Sequence, residues 1–556
     1  MCGINGFVSS DGNSKNISKR IKLMNDLIFH RGPDSEGCFY EKFSDFSLAM
    51  GMRRLSIIDL KTGNQPMYSK DNKVVIVFNG EIYNYESLKK ELISQNVKFK
   101  TRSDTEVILE MYLKYGTNSF KMLDGMYAFS IYDKRFKKII VARDYFGEKP
   151  LYYHYSNENF IWGSELKSIK SQIDNKLTIS KEALSLYFSL TYIPAPHTIY
   201  KEIKKLEANN FLEYDLKLKR ISINKISRKS KFFQINNFNK AKEITKKLVF
   251  DSVQSRSTSD VPLGSFLSGG VDSSIISFCL SKISSKKINT FSVGFEKKSF
   301  DETNKSRIVS KLIDSDHNEI ILNQSEMIND IDKILENFDE PFADASAIPT
   351  YLISMKTSNQ LKVALTGDGG DEVFGGYNKY LISKINQNYI SLIPKFIHEK
   401  FLKISKKIFA TKNDNRGLRF KIKKTLDSID YNNNHYWNII SLAFKSNEID
   451  FILKDPKSDI FQYYRSILNI NLPAQNINDF RQIDKSISLE GDMLVKVDRV
   501  SMLNSLECRS PFLNKNIWDF TLSLPEKFLI NRGNTKFILK ESFKEYFPTG
   551  FLKKSK

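Results

Sequence analysis

Cys2 stands directly behind the initiator methionine, where a side chain able to do chemistry is unusual. If the methionine is removed, Cys2 carries both a thiol, with a pKa of about 8.5, and an α-amino group that titrates at about 7.7–8.0. The amine can take the thiol proton directly or through a water, as an N-terminal amine activates a threonine hydroxyl. Cys2 is therefore a candidate nucleophile that opens a carbonyl through a thioester. The alternative is a small buried apolar residue at the start of a strand.

Side chains that could hold an amino acid follow within the next hundred residues. Arg54, in "MRRLSIIDL", offers a planar guanidinium that suits a carboxylate. Asn79 and Gly80, in "FNGEIYN", are predicted in a turn after a buried strand, where their N–H groups could form an oxyanion hole. Asp104, in "TRSDTE", is predicted just ahead of a helix, as its N-cap or as the contact of a substrate ammonium group. With Cys2, these residues describe a pocket for an amino acid that has a side-chain carbonyl.

Five stretches in this order, "MCGINGF", "HRGPD", "RLSIID", "NGEIYN" and "SDTE", resemble the class II glutamine amidotransferase domain. The resemblance implies that Cys2 hydrolyses glutamine and releases ammonia, with Asn79 and Gly80 as the oxyanion hole. The residues it implies for glutamine binding are Arg54, Leu55, Ser56, Ile57, Ile58, Asn79, Gly80, Glu81 and Asp104. His30 and Arg31 belong to the second stretch, and the sequence indicates no role for them beyond loop structure.

A second chemistry is indicated by "FLSGGVDSS", which reads as a strand, a tight loop and a helix. The N–H groups of Ser268, Gly269 and Gly270, with the helix N-terminus, could bind an anion. The loop lacks the lysine of a Walker A motif and is not a G-x-G-x-x-G turn. It resembles the pyrophosphate loop of ATP pyrophosphatases, which cleave ATP between its α and β phosphates. An ordinary Gly-Gly turn is the alternative.

Carboxylates are crowded in a second loop, "LTGDGGDEVFGGY", which follows another apolar strand. It contains Asp368, Asp371 and Glu372. Mg²⁺ favours such oxygen ligands together with phosphates. We predict that Asp272 and Asp371 hold Mg²⁺, whereas solvated helix caps are the alternative.

The chain as a whole resembles the glutamine-hydrolysing asparagine synthetases, because "DEPFADASAIPTYLIS" and "LVKVDRVSMLNSLECRSPFL" extend the match. The resemblance implies that aspartate attacks the α-phosphorus of Mg-ATP to give β-aspartyl-AMP and pyrophosphate. Ammonia, travelling inside the protein, then displaces AMP. The residues implied to contact ATP are Leu267, Ser268, Gly269, Gly270, Asp272, Ser273, Ser274, Val293, Thr366 and Gly367.

Two features depart from that family's pattern. Asp368 stands where many members have glutamate, a residue implicated in forming the acyl adenylate. Aspartate keeps the charge but is one methylene shorter, which weakens the inference that aspartate is the acceptor. The chain ends in "FPTGFLKKSK", and Lys556 is the nearest match to a lysine that stabilises the adenylating transition state. We expect either that another group closes the site or that synthetase activity is impaired.

The elements that must position these residues divide the chain in two. Up to about residue 210, short apolar runs between polar turns predict antiparallel strands, and "YESLKKELISQ" and "SDTEVILEMYLKYG" predict helices. This is an α+β domain, and the resemblance implies the αββα sandwich of N-terminal nucleophile hydrolases over residues 2–218. After a linker at 219–238, strands alternate with helices over residues 239–556, which predicts an α/β parallel-sheet ATP-pyrophosphatase domain with a helical C-terminal part from about 386 to 471.

Composition limits the classes of protein that remain. The 556 residues are 41% hydrophobic and 12% aromatic, which excludes a disordered chain. No apolar run approaches the roughly 18 residues that span a bilayer, and no signal peptide or C-x-x-C pair is present, so we expect a cytoplasmic protein. The net charge of +21 is spread along the chain, which indicates compositional bias more than a nucleic-acid surface.

The expected partners are glutamine and aspartate, with no nucleic acid, no membrane and a possible homodimer. Three other functions remain open. One is a related amidotransferase that amidates another carboxylate, such as a sugar acid of a surface polysaccharide. Another is a regulatory protein whose synthetase half is defective, and the third is a basic nucleic-acid binder.

Overall fold

The structure is a computed structural model in which the first half of the chain is built on antiparallel sheets. The residues described are 2–10, 16–156, 159–226, 234–297, 301–408, 426, 429–431, 435–441, 443–444, 446–454 and 476–553. The first sheet has six strands, and neighbouring strands run antiparallel. In spatial order they are Ile203–Lys205, Tyr152–Tyr155, Phe160–Gly163, Gly3–Ser9, Ser47–Arg54 and Ser35–Lys42.

A second six-stranded antiparallel sheet carries the predicted oxyanion residues. Its strands are, in spatial order, Arg220–Lys225, Asn210–Asp215, Lys138–Arg143, Gly125–Asp133, Val74–Ile82 and Met67–Tyr68. Asn79 lies opposite Ala128 and Gly80 opposite Tyr127, so the prediction of a turn at Asn79 and Gly80 is wrong. The strand continues through both residues because the strand Gly125–Asp133 supplies a partner along its whole length.

Three apolar layers show that the two sheets and their helices form a sandwich. Ile4, Val8, Val75, Val77 and Val141 belong to the layer between the sheets. The helices Ile17–Leu27 and Leu166–Lys170 cover the outer face of the first sheet. The helices Tyr85–Ser94 and Asp104–Tyr115 cover the outer face of the second. The αββα prediction is confirmed, as are both predicted helices of this half.

The second half contains a five-stranded sheet in which every neighbouring pair runs parallel. The strands are, in spatial order, Asp316–Leu322, Asn289–Phe295, Leu263–Phe266, Val363–Leu365 and Glu507–Arg509. The helix Val271–Ile283 packs in the large apolar core on one side of this sheet, and Ala347–Ser358 packs in the core on the other. The predicted parallel sheet with helices on both faces is confirmed.

The remaining regular elements that the structure describes are helical. In the first half they are Lys181–Leu190 and the 3₁₀ turns Phe29–Arg31 and Gly116–Met122. In the second half they are Phe238–Arg256, Thr303–Leu312, Gln324–Asn329, Ile331–Asn337, Gly370–Phe374, Asn378–Leu392, Lys395–Ile408, His435–Ile440, Ser446–Leu453, Ile477–Asp484, Leu494–Met502, Lys515–Leu522, Glu526–Leu529 and Phe537–Phe543. A π-helical stretch, Lys485–Met493, and the 3₁₀ turns Lys544–Tyr546 and Phe551–Lys553 complete them.

Three further predictions from the sequence can be compared with the structure. The strand Arg220–Lys225 lies in the stretch predicted as linker, and the position of the domain boundary stays a prediction. The predicted helical region is helical in its described parts, whereas 409–425 and 455–475 lie outside the described residues, as does Lys556. Among the helices that the structure describes, none combines the length and apolarity needed to cross a bilayer.

Candidate active sites

Cys2 lies at the head of a central strand, buried between the two antiparallel sheets. Its Sγ is 3.9 Å from the carbonyl oxygen of Leu55, and burial raises the pKa of the thiol. A thiol in this environment needs a base close by to become a nucleophile. The backbone nitrogen of Cys2 becomes an α-amino group if the methionine is removed, which supplies that base within the same residue.

The two polar atoms of the Asn79 side-chain amide differ in their hydrogen bonding. Its Oδ1 accepts a hydrogen bond from the nitrogen of Cys2 at 3.0 Å. The side chain is fully buried, yet its Nδ2 has no hydrogen-bond partner among the residues that the structure describes. Because an unsatisfied buried donor is costly, this N–H₂ is suited to an oxygen that arrives with a substrate.

Gly80 cannot be replaced without disturbing the second sheet. Its φ is +147°, and a Cβ at this position would lie 2.0 Å from the carbonyl oxygen of Met126. The backbone can therefore pass this close to its neighbouring strand only with glycine. Gly80 also borders the cavity beside Cys2, as the oxyanion-hole prediction requires.

The cavity beside Cys2 brings together most of the residues predicted to bind glutamine. It is lined by Cys2, Arg54, Leu55, Ile57, Ile58, Gly63, Gln65, Phe78, Gly80, Glu81, Ser103, Asp104, Thr105 and Glu507. Asn79 and Ser56 do not line it, although Asn79 accepts a hydrogen bond from the nitrogen of Cys2, which does. The nitrogen of Ser56 instead bonds the Oδ2 of Asp34 at 2.8 Å. The predicted roles of these residues stay predictions.

Arg54 forms one end of the cavity and is held by neutral acceptors. Its Nη2 donates to the carbonyl oxygens of Ile58 at 3.1 Å and Asp59 at 2.8 Å, and its Nη1 donates to Oδ1 of Asn64 at 3.1 Å. Within the described parts of the chain, no carboxylate forms an ion pair with this guanidinium. Its charge is fixed in place and remains available to a substrate carboxylate.

Carboxylates lie at the other end of the cavity. The N-cap of the helix Asp104–Tyr115 is Ser103, so the prediction that Asp104 is the N-cap is wrong. The serine hydroxyl accepts from the nitrogen of Thr105, which leaves Asp104 in the first turn, and its Oδ2 accepts from the nitrogen of Ile82 at 3.0 Å. Burial raises the pKa of Asp104 to about 6. A substrate ammonium group would favour the ionised form of Asp104 and so offset the free-energy cost of burying its charge.

Glu81 and Glu507 add to the negative charge, and Arg509 partly offsets it. Burial raises the pKa of Glu81 well above its usual range, although Nη2 of Arg509 lies 3.2 Å from its Oε1. Nε of Arg509 also donates to Oε1 of Glu507 at 2.7 Å. Sequence reasoning missed Glu507 and Arg509. Their stretch "LVKVDRVSMLNSLECRSPFL" contributes to the family resemblance, but nothing in it indicates that these two side chains reach the cavity beside Cys2 from the far end of the chain.

The loop predicted to bind pyrophosphate lies between the strand Leu263–Phe266 and the helix Val271–Ile283. Gly269 has φ +74°, and a Cβ there would lie 2.4 Å from Cβ of Lys305, so the turn requires glycine. Oγ of Ser268 accepts from the nitrogen of Gly270 at 3.3 Å and lies 2.9 Å from Oγ of Ser273. These bonds hold the loop in the shape that presents the helix N-terminus.

The two loops of the second half pack directly against one another. A Cβ on Gly367 would lie 2.8 Å from the nitrogen of Ser273, and one on Gly370 would lie 2.7 Å from Cγ of Asp272. The structure therefore brings the predicted phosphate loop and the acidic loop to the same edge of the parallel sheet. Ligands of open α/β sheets bind at this carboxyl edge of the strands.

A cavity of about 360 Å³ opens at this edge. Of the predicted residues, Gly269, Gly270, Asp272 and Asp371 line it. The predicted residues that do not line it are Leu267, Ser268, Ser273, Ser274, Val293, Thr366, Gly367 and Asp368. A cavity in the range of about 300–1,000 Å³ is typical of small-molecule sites.

Lys536 is the cavity residue that sequence reasoning missed. Its ammonium contacts the carboxylate of Asp272 and lies 2.7 Å from Oδ1 of Asp371. Although burial opposes it, the two carboxylates hold the pKa of Lys536 above its usual range. Lys305 and Lys540 line the same cavity, so it combines three cations with carboxylates. No motif in "GNTKFILK" marks Lys536 as a site residue.

The carboxylates of Asp272 and Asp371 converge on one point, the nitrogen of Lys536. Two oxygen donors on the wall of a phosphate-sized cavity are the ligands that Mg²⁺ uses together with phosphates, so these residues fit that ion. Within the described residues there is no group of three or more potential metal ligands. Glu372 faces away from the cavity and accepts a hydrogen bond from the hydroxyl of Tyr377 at 2.8 Å.

Comparisons with known proteins match both halves of the chain. A family model described as a glutamine amidotransferase domain matches residues 1–224, and one described as asparagine synthase matches residues 245–556. Glutamine-hydrolyzing asparagine synthetase 1 of Bacillus subtilis is 33% identical over 100% of this chain and 86% of its own length. Asparagine synthetase 3 of the same organism is 24% identical over 100% of this chain and 86% of its own length.

Among solved structures, the glutamine phosphoribosylpyrophosphate amidotransferase of B. subtilis, complexed with ADP and GMP, is similar with a TM-score of 0.32 at 16% identity. That match covers 58% of this chain and 81% of the other.

Fold and sites together define an amidotransferase in which an N-terminal nucleophile domain is joined to a parallel-sheet ATP-using domain. More particularly, the chain belongs to the family of glutamine-hydrolysing asparagine synthetases. It is thus an ATP-dependent ligase that takes nitrogen from glutamine, and the expected family is confirmed.

Proposed function

We propose that this enzyme hydrolyses glutamine at Cys2 and transfers the ammonia to an aspartate that it has activated with ATP. The products are asparagine, glutamate, AMP and pyrophosphate. The observation that carries the proposal is one strand, Glu507–Arg509, that joins the cavity beside Cys2 to the start of the acidic loop. Glu507 lines the cavity beside Cys2, and the carbonyl oxygen of Arg509 accepts from the nitrogen of Thr366 at 2.8 Å, at the start of the acidic loop.

In the first reaction the α-amino group of Cys2 takes the thiol proton, and Sγ attacks the side-chain carbonyl carbon of glutamine. Nδ2 of Asn79 and the nitrogen of Gly80 donate to the oxygen that becomes negative. The C–N bond then breaks, the ammonium of Cys2 returns its proton to the leaving nitrogen, and ammonia departs. Water hydrolyses the thioester to give glutamate. Arg54 and Asp104 hold the substrate carboxylate and ammonium groups.

In the second reaction an aspartate carboxylate oxygen attacks the α-phosphorus of ATP, and the bond to the β-phosphate oxygen breaks. Lys536 and the loop 268–274 stabilise the leaving pyrophosphate. Asp272 and Asp371 would hold Mg²⁺, which when bound neutralises phosphate charge. Ammonia attacks the acyl carbon of the adenylate, and AMP leaves. Asp368, half-buried beside Gly367, is proposed as the carboxylate that assists adenylation.

An internal route for ammonia is favoured by the chemistry, since free ammonia at neutral pH is mostly protonated and is then no nucleophile. The strand Glu507–Arg509 connects the cavity beside Cys2 with the acidic loop of the second half. We propose that ammonia passes along this contact between the two halves.

The acceptor is tested by supplying glutamine labelled with ¹⁵N in its amide, together with ATP and aspartate, and identifying the product by mass spectrometry. Labelled asparagine, with one pyrophosphate per product, is expected. The matched mixture replaces aspartate by sugar acids. Label in an amidated sugar and none in asparagine would instead support the other acceptor, for which the shorter Asp368 is the observation in favour.

Glutamine use should weaken as the pH falls through about 6, because Asp104 must be ionised to pair with an ammonium group. Burial raises the pKa of this carboxyl to about 6, so it is neutral below that pH and the ion pair is lost. The pH profile of kcat/KM for glutamine should therefore show a component near 6 in addition to that of the α-amine. In Asp104→Asn, the α-amine component should remain and the component near 6 should disappear. An unchanged profile in that variant would remove Asp104 from ammonium binding.

We also propose that the enzyme acts as a cytoplasmic homodimer that has no nucleic-acid partner. Sedimentation equilibrium tests the oligomeric state. A filter-binding titration with RNA and DNA at increasing salt tests whether the enzyme binds nucleic acid, since binding to phosphates is strongly salt-dependent.

A further inference from the structure

Arg31, in the "HRGPD" stretch, ties the nucleophile's own backbone to a buried cation. Its side chain is fully buried, and its Nε donates a hydrogen bond to the carbonyl oxygen of Cys2 at 3.1 Å. A Cβ on Gly3 would lie 3.1 Å from Cδ of Arg31, so the arginine packs directly beneath this part of the strand. The orientation of Cys2 therefore depends on where this guanidinium is held.

Asp498 holds the guanidinium from the other half of the chain. Its Oδ2 accepts from Nη1 of Arg31 at 2.8 Å, and its Oδ1 accepts from Nη2 at 3.0 Å. Asp498 is buried and lies on the helix Leu494–Met502 of the synthetase half. A bidentate pair of this kind fixes the plane of the guanidinium as well as its position.

The remaining contacts would not hold Arg31 in the same place without Asp498. Nη1 of Arg31 also donates to Oε1 of Glu165 at 3.0 Å, and Nζ of Lys149 lies 3.7 Å from Oδ1 of Asp498. Glu165 also lies within hydrogen-bond distance of the His30 ring and pairs with two further cations, Lys167 and Arg499. If Asp498 lost its charge, the attraction between Nη1 and Glu165 would pull the guanidinium towards Glu165. Nε would then turn away from the carbonyl oxygen of Cys2.

We propose that Asp498 is a positioning residue for glutamine hydrolysis, which the synthetase half contributes to the glutaminase site. It acts through Arg31, which fixes the Cys2 carbonyl and with it the approach of Sγ to the substrate. The inference rests on the proposed function of Cys2. It also gives the "HRGPD" stretch a role: Cys2 is aligned only while the helix Leu494–Met502 is docked against the glutaminase half.

The test is Asp498→Asn in the full-length enzyme, which keeps the size of the side chain and removes its charge. We expect kcat for glutamine hydrolysis to fall about 10- to 100-fold, because misalignment of a reacting group has effects of this size. KM should change less than about threefold, since Arg54 and Asp104 are untouched. Alkylation of Cys2 by a chloroketone analogue of glutamine should slow in parallel. Synthesis from added ammonia should stay within about twofold of the wild type.

Glu490→Gln is the matched control. Oε1 of Glu490 pairs with Nη1 of Arg143 at 2.6 Å, so it is also a buried carboxylate of the synthetase half that pairs with an arginine of the other half. It has no contact with Arg31 or Cys2 among the described residues. Its glutaminase kcat should stay within about twofold of the wild type. Equal losses in Glu490→Gln and Asp498→Asn would assign the effect to docking in general and overturn the proposal.

A double-variant cycle tests whether Asp498 acts through Arg31. Arg31→Lys keeps the charge but loses the Nε contact with Cys2, so adding Asp498→Asn should slow hydrolysis no further. Independent losses that multiply would overturn the proposal. Should Asp498→Asn fail to fold, Asp498→Glu takes its place in the cycle, because its longer side chain keeps the charge but displaces the bidentate pair that fixes the guanidinium plane. Glutaminase activity in the wild type and its absence in Cys2→Ala establish the proposed function separately.

Discussion

Replacing Cys2 by alanine will abolish glutamine-driven synthesis and spare synthesis from added ammonia. The variant removes the only thiol in the glutaminase cavity of the described structure, and no other cavity residue can form a thioester. We expect a loss of about 10⁴-fold or more in glutamine-driven rate, as for other enzymes stripped of their nucleophile. The ammonia-driven rate should stay within about twofold, since no described residue lines both the synthetase cavity and the cavity beside Cys2.

The measurement is the rate of asparagine and pyrophosphate formation with glutamine or ammonium as the nitrogen source. Cys38→Ala is the matched control, because this free thiol is exposed on the strand Ser35–Lys42 and lies outside the cavity. It should behave as the wild type with both sources. Intact mass must also show that the wild-type chain has lost its methionine. Loss of both activities in Cys2→Ala would contradict two separate sites.

Local sequence patterns were sufficient to predict the glutaminase half. Alternating apolar runs indicated the strands. The chemical types of Arg54, Gly80 and Asp104, together with the resemblance of five stretches, indicated one pocket, and all three residues line the cavity beside Cys2. Two local details have different outcomes for different reasons. The motif places Asn79 and Gly80 in a turn, because the pairing of their strand with Gly125–Asp133 is a tertiary contact that it does not record. The alternative of Asp104 as N-cap is wrong because the hydroxyl of the preceding Ser103 takes that role.

Residues that reach a site from a distant segment of the chain could not be predicted in this way. Glu507, Asp498 and Lys536 reach their sites from segments distant in sequence, and each is defined by a charge it meets only after folding. Lysine and acidic residues are frequent throughout the chain, so their type alone carries little information. In contrast, "SGGVDSS" needed no distant partner to be recognised, since its glycines and helix N-terminus form one local structure.

Lys536→Met should nearly eliminate adenylate formation while leaving glutamine hydrolysis intact. The ammonium of Lys536 lies between Asp272 and Asp371, and its loss leaves two carboxylates facing the phosphates with less positive charge to offset them. Removing one group that stabilises transition-state charge lowers the rate by about 10²–10³-fold. Aspartate-dependent pyrophosphate release and exchange of labelled pyrophosphate into ATP measure this step directly.

Lys540→Met is the control that separates this role from general loss of charge. Lys540 lines the same cavity, but its Nζ donates to Oδ1 of Asn534 at 2.9 Å. Within the described residues it forms no ion pair with Asp272 or Asp371. We expect a loss of about tenfold or less for it, because long-range charge is weakened by solvent. Asp272→Ala should resemble Lys536→Met in losing adenylation and keeping glutaminase activity. If the rate of adenylation falls equally in Lys536→Met and Lys540→Met, the pairing of Lys536 with Asp272 and Asp371 makes no specific contribution to the cleavage of ATP.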